Sequence, residues 1–231
     1  MWDERARLST GSSARAWAHI VDPLTYITIA STGAFLLAFV VIALVRRRFA
    51  LAAAAVCVVS VANVTTQLFK AYWPTQPHWW SNSLPSGHST VAMSIATAAL
   101  IVAPVGARRW LLPFAGFGVT FVGAGTLVGH WHRPADVIAA FLLTTFLAAI
   151  ALGVVQRVQH GRHPRDTSYA VRPVLSLAGS IGVGLIFVAL GVRPLDHDVA
   201  LVLAFVSLVS IAVTAALTLA WISAAADDAV G

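Results

Sequence analysis

The stretch FALAAAAVCVVSVANVTTQLF, Phe49 to Phe69, contains no Asp, Glu, Lys or Arg. A bilayer core of about 30 Å is crossed by about 20 apolar residues at 1.5 Å each, so this stretch reads as a transmembrane helix. The same measure applied outward gives spans over Pro23–Val45, Thr90–Val105, Leu111–Val128, Ala135–Val155, Val174–Leu190 and Val199–Ile222. The spans beginning at Thr90 and Val174 are short, and the total is six if one of the last two is re-entrant. The expected fold class is therefore an all-α polytopic membrane helix bundle of six to seven transmembrane helices. It forms one integral membrane domain over 1–231.

Composition excludes a soluble domain. The chain is 58% hydrophobic and 10% charged, with a mean hydropathy of +0.82, whereas a soluble chain carries roughly a quarter charged residues. Lys+Arg exceed Asp+Glu by 15 to 9. Arg46, Arg47, Arg48, Arg108, Arg109, Arg157, Arg162, Arg165 and Arg172 all fall on one side if the spans alternate. By the positive-inside rule that side is cytoplasmic, and the charge calls for no nucleic-acid partner. The expected location is the plasma membrane of a bacterial envelope. With no apolar stretch before Ile20, a cleaved leader is not expected. The single Cys57 cannot form an intramolecular disulfide.

Trp73, Trp79, Trp80 and Trp131 fall in the opposite, outward loops, where aromatic rings anchor at headgroup level. Small residues recur at Gly116, Gly118, Gly123, Gly125 and Gly129, and at Gly179, Gly182 and Gly184, a pattern that lets helix backbones approach closely.

The outward loops also hold two histidine clusters, Pro85-Ser86-Gly87-His88 and His132-Arg133-Pro134-Ala135-Asp136. Ser86 is suited to cap a helix. Backbone N–H groups at a helix start form an anion site, so a phosphate could contact the Ser86 hydroxyl and the Gly87 amide, with His88 near enough to protonate a leaving oxygen. His132 and Asp136, four residues apart, share a helix face. The carboxylate would fix the imidazole tautomer and stabilise positive charge as the other ring nitrogen attacks phosphorus. The competing reading is that Asp136 only caps a helix end.

In these elements the chain resembles the type-2 phosphatidic acid phosphatase, or lipid phosphate phosphatase, family. The resemblance covers roughly Lys70 to Phe141 and rests on PSGH at 85–88, His132 and Asp136 at the end of the third family signature, and Lys70, the only lysine in the chain. It implies a phosphatidic acid phosphatase type 2/haloperoxidase-like core over about 23–158, followed by two further helices over about 172–222. It also implies a phosphohistidine on His132, Asp136 as its orienter, His88 as general acid, and Lys70, Ser86 and Gly87 as phosphate ligands. No metal or other cofactor is implied. The partner is a lipid phosphate in the bilayer, a polyprenyl or glycerolipid phosphomonoester or diphosphate.

Two signature arginines are missing. The position after Lys70 falls on Pro77, or on Gln76 with one residue deleted, and the Ser-Arg pair falls on Gly125-Thr126. Arg133, permanently charged and beside His132, is the expected substitute, with His78 and His130 as lesser candidates. The alternative is a catalytically weak relative that binds a lipid phosphate or scaffolds an envelope complex. Zinc held by His78, His88, His130 and His132 is disfavoured, because the nearby carboxylate is committed to His132.

Overall fold

The computed structural model describes residues 2–72, 84–159, 171–194 and 198–229, apart from the side chains of Trp2 and Asp198. The helices are α1 (Trp2–Arg7), α2 (Ala14–Val21), α3 (Ile29–Val45), α4 (Phe49–Tyr72), α5 (Gly87–Val102), α6 (Val105–Val128), α7 (Pro134–Gln159), α8 (Val171–Ala189) and α9 (Asp198–Asp228). Two short strands, β1 (Thr10–Gly11) and β2 (Arg193–Pro194), pair antiparallel and tie the N-terminal segment to the α8–α9 connection.

Helices α3 to α9 fall on the seven expected spans. Five of them (α4, α6, α7, α8, α9) are long and apolar enough to cross a membrane. A sixth results if α2 and the 3-10 turn Asp22–Tyr26 count together with α3, which they meet at 65°. Helix α5, with 16 residues, is shorter. Large apolar side chains lie exposed on the outer faces, among them Phe35 on α3, Leu142 and Phe146 on α7, and Phe205 on α9. Such surfaces are stable where the solvent is hydrocarbon. The chain is an all-α, multi-pass membrane bundle.

Its core joins α4, α5, α6, α7 and α9 through Leu51, Met93, Leu112, Phe141, Leu152 and Ile211. The glycine stripes act at particular points. A Cβ on Gly179 would lie 1.8 Å from the Pro113 carbonyl oxygen, and one on Gly116 would lie 2.1 Å from that of Ser176. The α6 and α8 backbones therefore touch, and the Thr120–Ser180 hydroxyl bond at 2.8 Å closes the seam. Gly118 and Gly184 face open space.

Three boundaries differ from the sequence reading by about one and a half turns, at the starts of α3 and α6 and at the end of α9, and that of α6 bears on the packing. Helix α6 starts at Val105, so Arg108 and Arg109 belong to the helix and not to a loop. Arg108 is only 1% exposed. The cause is the C-terminus of α5, whose last carbonyls lack intrahelical donors. Ala103 N–H donates to Ala99 O, and Arg108 donates to Leu100 O at 2.8 Å and to Ile101 O at 3.1 Å. Arg46 donates to Val102 O at 2.8 Å. Arg108 also pairs with Asp227 of α9, whose second oxygen accepts from Arg172 of α8. Arginines that read as loop charges thus cap one helix and staple three others.

Candidate active site

At the opposite end of α5, local chemistry sets the geometry. Ser86 is the N-cap, with extended backbone and Oγ accepting from Ser89 N–H at 3.4 Å. The Thr90 hydroxyl donates to Ser86 O at 2.8 Å. Its one proton is thereby used, so the Thr66 hydroxyl, 3.0 Å away on α4, is the donor to Thr90. One rung deeper, Asn63 donates to Ser94 at 3.2 Å. These antiparallel rungs set the register in which Lys70, one turn further toward the C-terminal end of α4, meets Gly87. A Cβ on Gly87 would lie 3.4 Å from Lys70 Nζ.

Helix α7 joins from the other side, since Ser86 N–H donates to the Asp136 carbonyl at 3.0 Å. Asp136 stands in the first turn of α7 and is 3% exposed. Its Oδ2 accepts from Arg133 N–H at 2.9 Å, the return arm of a capping box. The same oxygen lies 3.5 Å from His132 Nδ1, an ion-pair distance longer than a hydrogen bond. Capping and orienting are therefore both open to this carboxylate, and the two readings of Asp136 do not exclude one another.

His132 is 8% exposed, a buried ring. The α6–α7 loop folds it inward: Trp131 and His132 N–H both donate to Thr126 O, at 3.0 and 3.3 Å. His88 is half-buried, with its ring centroid 5.3 Å from that of Trp131. It lies within electrostatic reach of His132 and Lys70, and Lys70 within reach of Asp136. Trp131, which the sequence placed as an interfacial anchor, is thus also a wall of the site. Ser86 is fully buried and works as the cap, leaving Gly87 as the half-buried backbone beside Lys70.

Residues 64–160 match the family model described as the PAP2 superfamily. They form a PAP2 domain. It contains Lys70, Ser86, Gly87, His88, His132, Arg133 and Asp136, and leaves α1–α3 and α8–α9 outside. The domain supports a phosphatase-type function, and in a membrane-spanning chain it suggests a lipid substrate in the bilayer. The comparison with curated proteins gave no match, and neither did that with solved structures.

Of the other sequence candidates, Gln76, Pro77 and His78 lie outside the described residues, as do Trp73, Trp79 and Trp80. Arg133 is drawn toward the N-terminal helix, its Nε donating to Glu4 Oε2 at 2.8 Å. His130 is bonded through Nδ1 to the Arg7 carbonyl at 2.8 Å. The Arg7 bond, ahead of that to Arg133 and against some burial, holds the Glu4 carboxyl down at about 2. Burial lifts that of Asp3. Sequence reasoning missed the acidic pair Asp3-Glu4, because nothing local ties a short N-terminal helix to a loop more than a hundred positions away.

Proposed function

We propose that this PAP2 protein hydrolyses a phosphomonoester or diphosphate of a membrane lipid, polyprenyl or glycerolipid, through a phosphohistidine on His132. The observation that carries this reading is the meeting of Lys70, Gly87, His88, His132 and Asp136, from α4, α5 and α7, at one end of the bundle. Nδ1 of His132 faces Asp136, so Nε2 is the attacking nitrogen. Its lone pair forms the N–P bond as the bond from phosphorus to the lipid oxygen breaks, and His88 gives that oxygen its proton. Deprotonated His88 then takes a proton from water. The water oxygen attacks phosphorus, the N–P bond breaks, and inorganic phosphate leaves.

Transition-state charge gathers on the equatorial oxygens. Lys70 and the α5 N-terminus, positive by its dipole, stabilise that charge without reorganising. Arg133 adds a third positive group beside the nucleophile and replaces part of what the missing signature arginines would supply. The carboxylate of Asp136 balances the ring charge that develops on His132.

One further feature supports an extracytoplasmic site. The described arginines of the basic loops (Arg46, Arg47, Arg48, Arg108, Arg109, Arg157 and Arg172) stand at the helix ends opposite the site, as positive-inside orientation requires.

The test is phosphate release by purified protein in detergent from polyprenyl and glycerolipid phosphates, with His132→Ala alongside. Release that disappears in the variant supports the reading. Release that survives within tenfold removes His132 as nucleophile. Binding without release from any substrate identifies a lipid-phosphate-binding relative instead.

A further inference from the structure

Helix α1 precedes the PAP2 domain, yet its polar contacts converge on the short loop that carries His132. Arg7 Nη1 donates to His130 O at 2.6 Å, while His130 Nδ1 bonds back to Arg7 O at 2.8 Å. Glu4 bridges two cations, Oε1 accepting from Arg7 and Oε2 from Arg133 Nε at 2.8 Å. The Asp3 carboxylate accepts from Ala135 N–H at 3.3 Å. Residues 130, 133 and 135 are thus all held by α1, and they flank the nucleophile on both sides.

His130 adds a second observation. Its φ of 58° lies in the left-handed region because it follows the C-cap of α6: His130 N–H donates to Leu127 O at 2.9 Å and Trp131 N–H to Thr126 O at 3.0 Å, a Schellman closure. The two Arg7–His130 bonds brace that turn from α1. They act two residues before His132, where the chain reverses from α6 into α7. Helix α1 packs on α9 as well as on α7, and the polar contacts above fall on the segment whose position decides the attack geometry.

We propose that α1 is a positioning clamp of the active site, in which Glu4 and Arg7 set the loop that aims His132 and Arg133 at the phosphate. The proposal rests on the reading of His132 as nucleophile. Glu4 touches no reacting atom; it is a positioning residue, acting through Arg133 and, by way of Arg7, through His130. A carboxylate held down at about 2 remains charged across the working range of any such enzyme, so the clamp is permanent and not a pH switch.

The experiment compares wild type, Glu4→Gln, Arg7→Ala and His132→Ala, using phosphate release from dioctanoyl phosphatidic acid and from farnesyl diphosphate in detergent. Thermal midpoints and hydrogen exchange over residues 129–136 are measured on the same samples. Glu4→Gln keeps the shape of the side chain and removes its charge. It is expected to lower kcat about tenfold or more, as a misplacement of an ångström or less does. KM should change by less than about threefold and the thermal midpoint stay within about 2 °C, because a partly exposed ion pair contributes little to stability. Exchange at 129–136 should quicken, and Arg7→Ala should show the same pattern.

Turnover within twofold of wild type in both variants, with His132→Ala inactive, overturns the clamp and leaves the phosphatase reading intact. A fall in kcat that merely tracks a falling midpoint also overturns it, since that is a structural anchor. Should wild type release no phosphate from either probe, the phosphatase reading fails, and exchange alone judges the clamp: unchanged protection at 129–136 in Glu4→Gln overturns it, and lost protection upholds it.

Discussion

Replacing Asp136 by Asn separates the two tasks that the structure gives one side chain. The amide oxygen can still accept the Arg133 N–H bond, so the cap on α7 survives; losing it altogether would cost about 1 kcal/mol of stability. What disappears is the negative charge 3.5 Å from His132 Nδ1. Two unit charges at that distance interact by about 4–5 kcal/mol at an effective dielectric of about 20, suited to a mostly buried pair close to an aqueous mouth. The charge on His132 exists only after attack on phosphorus, so this energy lowers the barrier and not the ground state. At 1.36 kcal/mol per factor of ten, Asp136→Asn is expected to lower kcat roughly a thousandfold, with the thermal midpoint nearly unmoved. Phosphate release and a thermal melt in the same detergent measure both. A variant that keeps kcat within tenfold would refute the reasoning and leave Asp136 as a helix cap alone.

Three more outcomes are expected. Asp227→Ala leaves the buried Arg108 and Arg172 without the part-buried carboxylate they share, which should cost about 3–5 kcal/mol; an unchanged thermal midpoint would show that the staple contributes nothing. Gly179→Ala places a Cβ against the Pro113 carbonyl and should separate α6 from α8, while Gly184→Ala, with open space around it, should be neutral; equal midpoints for the two would contradict the backbone contact. Because the bond to Arg7 within folded α1, ahead of that to Arg133 across the docking surface, lowers the Glu4 carboxyl from 4.5 to about 2, its contribution to the folded, docked helix is present above about pH 4.5 and is lost as the pH falls toward 2. Pepsin should therefore cut near Leu8 faster at pH 2 than at pH 4.5, relative to an unstructured peptide, and an equal ratio would count against the docked helix.

Much of this molecule is legible in the sequence because its solvent is hydrocarbon. A run such as Phe49–Phe69 admits only one backbone solution, and the short span after Pro85 is short in the fold as well. PSGH announces its own helix start, since a Ser before a Gly-His pair at the edge of an apolar run is a natural cap. The His132–Asp136 spacing likewise puts a ring and a carboxylate on one turn. Less legible is whatever depends on which helix end lies beside which. Arg108 and Arg172 carry the composition of positive loops, and only the approach of Asp227 from α9 turns them into a buried cluster. The burial of His132 depends on the loop folding back onto Thr126. Glu4 and Arg7 belong to a tail with no pattern of its own.

The two ends of α5 show why one short helix can organise both. At 16 residues it rises about 24 Å, less than the hydrocarbon thickness of about 30 Å. Its C-terminal carbonyls are matched by Arg46 and Arg108, whose charges belong at a headgroup boundary and fix that end there. Measured from that end, Gly87 and His88 fall several ångströms short of the opposite boundary, whereas α4 and α7, at 24 and 26 residues, are long enough to reach it. The anion-attracting end of α5 is thus recessed between longer neighbours. A lipid phosphate drawn down to it would leave bulk water before it met His132, and with little water to screen it, each charge around it would act more strongly. Recess, capping and the proposed chemistry then share one origin, a helix too short for its membrane and held at its far end by arginines.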